Sequence, residues 1–128
     1  MKNIIENEHC SIKIVNKPWG REVWIADRKG LYLGKELEVN AGEELSYQYH
    51  DKKDETMIVV AGECVITFGD KKYKVSGLDR LQDRIFIIPP KKKHKVKAIT
   101  DTLIYEISTW NPRDTVRLKD KYNRIKKK

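Results

Sequence analysis

The chain reads as a single all-β domain, a sandwich or barrel built from short strands. Three observations point there. Apolar and polar residues alternate with a period of two along most of the sequence, the spacing at which successive side chains fall on opposite faces of a strand. Gly, Pro, Asn and Asp interrupt these runs at short intervals, as turn residues do in all-β folds. Helical periodicity is absent ahead of Asp114. A length of 128 residues suits one core, since domains cluster near roughly 100–150 residues.

Taken in order, the strand candidates are REVWIAD (21–27), LYLGKELEV (31–39), LSYQYH (45–50), ETMIVVAG (55–62), ECVITFGD (63–70), KKYKVS (71–76), RIFIIPP (84–90), HKVKAI (94–99) and TLIYEIST (102–109). Each is rich in the β-branched and aromatic residues that suit a pleated, half-buried surface. The stretch MIVVAGECVITFGD is expected to fold as a hairpin turning near Gly62 and Glu63. Two prolines close RIFIIPP; they cannot donate to a ladder, so the strand stops there and a new one begins near His94. Residues 1–16 read as an N-terminal extension, irregular at NEHCS around His9, 17–124 as the domain and 125–128 as a basic tail. RDTVRLKDKYNRIKKK (113–128) suits a short helix or a fraying extension.

The formal net charge is +8, and half of it comes from Arg124, Lys126, Lys127 and Lys128 near the end. Such a surplus attracts nucleic acid, anionic membrane or a phosphorylated small molecule alike. No nucleic-acid-binding motif accompanies it, so nucleic acid is not the expected partner. Cys10 and Cys64 read as free thiols of a reducing compartment, and the N-terminal stretch lacks the apolar core of a signal peptide. No apolar run approaches the roughly 20 residues of a membrane span. The expectation is a soluble, cytoplasmic protein.

In the run LSYQYHDKKDE (45–55), alternation puts Gln48 and His50 on one face and Tyr47 and Tyr49 on the other. Glu55 follows a charged turn long enough for the next strand to bring its carboxylate toward the same space. His94 opens a later strand. An amide oxygen, two imidazoles and a carboxylate form a mixed N/O set suited to a divalent ion such as Zn, Co, Mn, Ni or Fe. Taken singly, each residue also has a plainer reading, as a hydrogen-bonded or solvent-facing strand residue. The run Lys91–Lys93 reads first as a solvated face. Trp19, Trp24, Tyr47, Tyr49 and Trp110 read as packing on the outer face or at a subunit contact.

From Gly42 the chain runs through five residues to Gln48, one to His50, four to Glu55 and six to Gly62; later, four residues separate Pro89 from His94. This resembles the two-part motif of the cupin superfamily. Gln48 stands at the place of the first motif's leading His, Lys91 where a glycine is usual and Ala98 where an asparagine is usual. A closer resemblance spans KPWG (17–20) to YNR (122–124). With Glu22, Lys35, Val39, AGEELSYQYH, Glu55, VVAGECVITFG, IPPKKKH, LIYEIS and DTVRLKDKYNR, it is similar to the mannose-6-phosphate isomerase cupin, the C-terminal domain of bifunctional mannose-1-phosphate guanylyltransferase/mannose-6-phosphate isomerase proteins.

That resemblance implies a double-stranded β-helix, or jelly-roll barrel, with Gln48, His50, Glu55 and His94 holding the metal. It implies a phosphorylated sugar as substrate, a homodimer, and exchange of mannose 6-phosphate with fructose 6-phosphate through an enediolate. Lys35, Lys53 and Arg117 are expected near the barrel mouth around the phosphate, with Arg84 and Lys91–Lys93 as further candidates through nearness to His94. Glu106 is either the internal base or an outward-facing strand residue. Asp51, Lys52 and Lys53 stand where the family has a His pair and an Arg, and Thr56-Met57 where it has His-Trp. The alternatives are therefore a cupin acting on another phosphosugar or nucleotide-sugar, or a non-catalytic sugar-binding cupin.

Overall fold

The computed structural model describes residues 3–125; Lys126, Lys127 and Lys128, which carry most of the expected basic tail, lie outside the described residues. The strands are β1 (Ile4–Glu6), β2 (Ser11–Lys17), β3 (Gly20–Arg28), β4 (Tyr32–Val39), β5 (Tyr47–His50), β6 (Glu55–Ala61), β7 (Glu63–Phe68), β8 (Lys71–Ser76), β9 (Ile85–Ile88), β10 (His94–Ala98), β11 (Thr102–Ser108) and β12 (Thr115–Lys119). The one helical element among the described residues is a 3-10 turn, Leu81–Asp83. Among the described residues no helix is long and apolar enough to cross a membrane.

The strands form a seven-stranded sheet in the order β1-β2-β3-β4-β11-β6-β9 and a five-stranded sheet in the order β12-β5-β10-β7-β8. Every strand pairing is antiparallel. From β4 onward the chain passes repeatedly from one sheet to the other, which is the winding of a double-stranded β-helix and matches the jelly-roll expectation.

Three expectations about elements are corrected. Residues 55–68 are not a hairpin: β6 pairs with β11 and β9, whereas β7 pairs with β10 and β8. The chain crosses between sheets at Gly62, whose φ is +85° and where a Cβ would stand 2.1 Å from the Asp101 carbonyl oxygen. A turn signal between two apolar strands marks a change of direction, and local pattern does not say whether the second strand returns to the same sheet. The 1–16 extension contributes β1 and β2, which lengthen the larger sheet beyond β3. Residues Thr115–Lys119 form a strand, neither helix nor frayed end: Thr115, Val116 and Arg117 pair with His50, Tyr49 and Gln48. There, tertiary pairing overrides a weak local preference.

The inward faces divide the interior along the strand axis. On β4 they run Leu33, Lys35, Leu37, Val39; on β6 Glu55, Met57, Val59; on β11 Thr102, Ile104, Glu106, Ser108; on β10 His94, Val96, Ala98, all buried. Leu37, Val39, Met57, Val59 and Ile104 meet Ile66, Val75, Val96 and Ala98 of the facing sheet in one apolar cluster, joined by Trp19, Phe86 and Ile88. Burying an aliphatic side chain of this size stabilises by roughly 1.5–3 kcal/mol, and this half secures the barrel. The other half is polar. Trp19, expected on the outside, is 2% exposed and belongs to the core; Trp24 faces the polar half, and the Trp110 indole donates to Asp27 Oδ1 at 2.7 Å.

Candidate metal centre and pocket

Strand β5 and the start of β10 lie side by side, with Gln48 opposite His94, while β6 brings Glu55 across from the other sheet. Side chains of β5 alternate, so Gln48 and His50 both turn inward. The turn from Asp51 to Asp54 joins β5 to β6 and is held from outside by Asp114, whose Oδ2 accepts the backbone N–H of Lys52 at 2.7 Å and of Lys53 at 2.6 Å.

His50, Glu55 and His94 converge with one potential ligand atom each, all within 4.8 Å of one another. His50 Nε2 is 3.1 Å and His94 Nε2 3.2 Å from the same Glu55 oxygen, Oε1. His94 Nδ1 lies 2.8 Å from the Lys92 carbonyl oxygen, which can only accept; Nδ1 therefore carries the proton and Nε2 presents a bare lone pair. His50 Nδ1 is 3.3 Å from the Thr115 hydroxyl, a partner that favours the same tautomer. Burial, more than offsetting the pull of Glu55, pushes the His50 imidazole below its ordinary pKa and keeps it neutral. The two Nε2 atoms and both Glu55 oxygens are buried without a hydrogen bond. Lone pairs facing one another at this distance with no proton between them are costly, and the donor set is the one a divalent cation would satisfy. The residues fit a metal.

Gln48 is buried beside this trio and its Oε1 accepts the Ser46 hydroxyl at 2.7 Å. That contact fixes the amide and leaves Oε1 a second lone pair. Ser46 did not stand out in sequence, although its position two residues before Gln48 puts it on the same face.

A row of charges runs from Glu55 across the interior of the larger sheet. Lys53 Nζ is 3.2 Å from Glu55 Oε2 and 3.0 Å from Glu106 Oε1. Lys35 Nζ is 4.0 Å from Glu106 Oε2 and 3.1 Å from Glu22 Oε1, and Glu22 Oε2 lies 3.9 Å from Lys17. Beyond Lys53, each member sits on the next strand of the sheet: β11, β4, β3, β2. Glu106 therefore faces inward, settling the two readings of its strand. Lys35 and Lys53 are buried between carboxylates, and both line the pocket together with Arg117. Arg84 bonds the Asp79 and Val59 carbonyls away from the pocket, and neither it nor Lys91–Lys93 lines it.

Burial raises the Glu106 carboxyl, and the charge of Glu55 raises it further, to about 8 against the opposing pull of Lys53. For Glu55, burial also acts upward, but contacts with Glu106 and Lys53 outweigh it and hold the group well below the usual carboxylate range. Lys53 is held protonated, its burial cost overcome by Glu106 and Glu55. Two carboxylates with separated affinities for a proton, bridged by one ammonium, are what acid–base chemistry requires.

Of these groups Gln48, His50, Lys53 and Glu106 line a pocket of about 720 Å³, with Trp19 and Trp24 among others, whereas Glu55 and His94 do not line it; the space is ample for a sugar phosphate. Glu22, Lys17 and Arg124 also line it; sequence patterning alone did not single them out as site residues.

The sequence profile of the family described as mannose-6-phosphate isomerase C-terminal matches residues 5–120. No curated protein matches the chain. Among solved structures, it resembles the capsular polysaccharide assembling protein CapF from Staphylococcus aureus (TM-score 0.70, 22% identity), covering 85% of this chain and 34% of CapF; the chain thus spans about a third of that protein's length. It also resembles KdgF from Halomonas sp. (TM-score 0.67, 17% identity, 88% of this chain and 96% of that one). A third likeness is an RmlC-like cupin from Shewanella frigidimarina (TM-score 0.67, 14% identity, 88% and 95%). At such identities these structures speak for the fold, and that fold is the cupin barrel.

Proposed function

The chain belongs to the mannose-6-phosphate isomerase C-terminal family, and on that premise we propose that it is a metal-dependent aldose–ketose isomerase interconverting mannose 6-phosphate and fructose 6-phosphate. The observation that carries this reading is the convergence of the buried His50, Glu55 and His94, with unsatisfied polar atoms, close to the buried Glu106 carboxyl, which lines one pocket with His50. In this reading His50, Glu55, His94 and Gln48 would hold a divalent ion, which would supply Lewis-acid charge to stabilise the enediolate. Glu106, with its affinity for a proton near neutrality, takes the proton from C2 of the aldose and returns it to C1, while a proton passes from the C2 oxygen to the C1 oxygen. Lys53 keeps Glu106 oriented through its 3.0 Å contact. Trp19 and Trp24 wall the pocket against water.

The test is conversion of mannose 6-phosphate by purified protein supplied in turn with Zn, Co, Mn, Ni and Fe. Turnover lost in both His50→Ala and His94→Ala is expected; turnover unchanged in both refutes the metal role. A second reading, a different phosphosugar in the same site, is favoured by Lys53. The ammonium there is engaged by two carboxylates and cannot offer the flat two-pronged contact an arginine makes to phosphate. Turnover of another phosphosugar in a panel, with none of mannose 6-phosphate, selects it.

A further inference from the structure

A second cavity, of about 840 Å³, opens between the two sheets. β8 is the last strand of the smaller sheet and β9 the last of the larger, and each pairs on one side only. The cavity is lined by Tyr73, Lys74 and Val75 of β8 and by Ile85, Phe86 and Ile87 of β9. Successive side chains of a strand point to opposite faces, so three consecutive residues border one space where the strand's edge faces it. The cavity is therefore a slot between two open edges, whose backbone N–H and C=O groups are a template for another strand. Phe86 reaches across to the other sheet, its ring 5.9 Å from that of Phe68 and 5.7 Å from that of Tyr73. The loop 77–84, which lines the slot through Asp79, Gln82 and Asp83, is pinned in place. The Gly77 N–H donates to the Gly62 carbonyl at 2.9 Å, and Arg84 donates to the carbonyls of Asp79 and Val59. A slot held in this way is formed before a partner enters, which lowers the cost of binding.

Charge selects what can be added there. β8 carries Lys71, Lys72 and Lys74, all exposed and none in an ion pair among the described residues. The two acidic residues of the lining are already engaged: Asp79 accepts the Ser76 N–H at 2.9 Å, and Asp83 pairs with Arg80 at 3.4 Å. We infer that the edge of β8 docks an extended segment of another protein, added as a strand, in which apolar residues alternate with carboxylates. The pattern follows from β8 itself. Tyr73 and Val75 stand opposite the buried Ile66 and Cys64, on the inner face, while Lys72 and Lys74 stand opposite Thr67 and Val65 on the outer one. An added strand sets apolar side chains beside Tyr73 and Val75 and carboxylates beside Lys72 and Lys74, as cross-strand pairing favours. A second copy of β8 is disfavoured by the same lysines, because like charges then meet across the pair. The residues lining the slot and those lining the first pocket are different, so docking does not depend on the isomerase reading.

Fluorescence anisotropy with a short, capped, end-labelled peptide of alternating valine and glutamate tests it, beside a valine–lysine peptide of the same length. Wild-type protein is expected to bind the first and not the second. Methylating the backbone nitrogens of the valines, or separately those of the glutamates, should abolish binding in one of the two cases, because alternate N–H groups of an added strand face its neighbour. Lys72→Glu/Lys74→Glu should weaken the valine–glutamate peptide by about tenfold or more, as attractive cross-strand pairs become repulsive, and should admit the valine–lysine peptide. Lys29→Gln, an exposed control in the turn between β3 and β4, should leave binding within about twofold, since a distant exposed charge is screened. Docking on this edge is overturned if wild-type protein binds neither peptide or if both methylated peptides bind as the parent does. It is overturned as well if the charge-reversed variant keeps the wild-type preference or if Lys29→Gln loses as much. A wild-type dimer that is lost in Lys72→Glu/Lys74→Glu would make a second copy the occupant and overturns it too.

Discussion

Lys53 Nζ stands 3.0 Å from Glu106 Oε1 inside the barrel, with the two side chains only 5% and 6% exposed. Removing one member of a buried pair leaves the other charged and unmatched, at a cost of about 3–5 kcal/mol. Lys53→Met is therefore expected to destabilise strongly in urea denaturation, because Glu106 and Glu55 lose their shared cation. The double variant Lys53→Met/Glu106→Gln should recover a substantial part of that loss. Strict additivity of the two single effects would show that the pair is not coupled.

Chelation should destabilise the protein and metal should restore it. A ligand present at 100 times its Kd, bound only to the folded state, adds about 2.7 kcal/mol. The thermal midpoint is expected to fall on dialysis against a chelator and to rise again with added divalent metal. That response should vanish in His50→Ala and His94→Ala and shrink in Gln48→Ala. An equal metal-induced rise in the two His variants would place the ion elsewhere.

Asp114 predicts an acid-sensitive turn. Burial acts to raise its pKa, but the Lys52 and Lys53 backbone N–H groups outweigh that and lower it. A carboxyl whose pKa is lowered on folding contributes stability that is present above its ordinary pKa of about 3.9 and lost as pH falls through the folded one. Asp114→Ala should cost about 1 kcal/mol near neutral pH, as loss of a capping carboxylate does, and the gap to wild type should close as the pH drops below about 4. A gap of constant size across that range would mean the charge is not what holds the turn.

Lys91 occupies a glycine's conformation, with φ at +70°, at the position where the family motif usually has glycine. A non-glycine residue held there costs on the order of 1 kcal/mol or more. The ion pair with Asp51 that Lys91→Gly removes is exposed and contributes little. Lys91→Gly is expected to raise the denaturation midpoint, while Lys91→Ala, which keeps the Cβ, should not. No gain with glycine would show that the loop relaxes at no cost.

Much of the candidate site was legible because its residues sit on strands whose alternation fixes the face. Gln48 and His50 could be assigned to one side of β5, and the proline stop at Pro89–Pro90 fixed where β10 begins and so where His94 stands. The core positions of β4, β6, β10 and β11 follow from the same alternation. The crossing at Gly62 was not legible, since a hairpin and a change of sheet share one turn signature. Nor was β12, whose strand character comes from its partner β5. The burial of Lys35 and Lys53 was not legible either, because a lysine in sequence reads as a surface charge, and only the carboxylates of Glu22, Glu55 and Glu106, brought from distant strands, make its burial tolerable.

The amino-acid order alone determined a β barrel with a polar motif on β5, β6 and β10, because side-chain alternation and turn chemistry are properties of a few consecutive residues. Which charges would find each other was decided only by the fold. The row from Glu55 to Lys17 lies across adjacent strands of one sheet, and its neighbours in space are far apart in the chain. Electrostatic pairing depends on distance through space, so that row exists only once the sheets have closed.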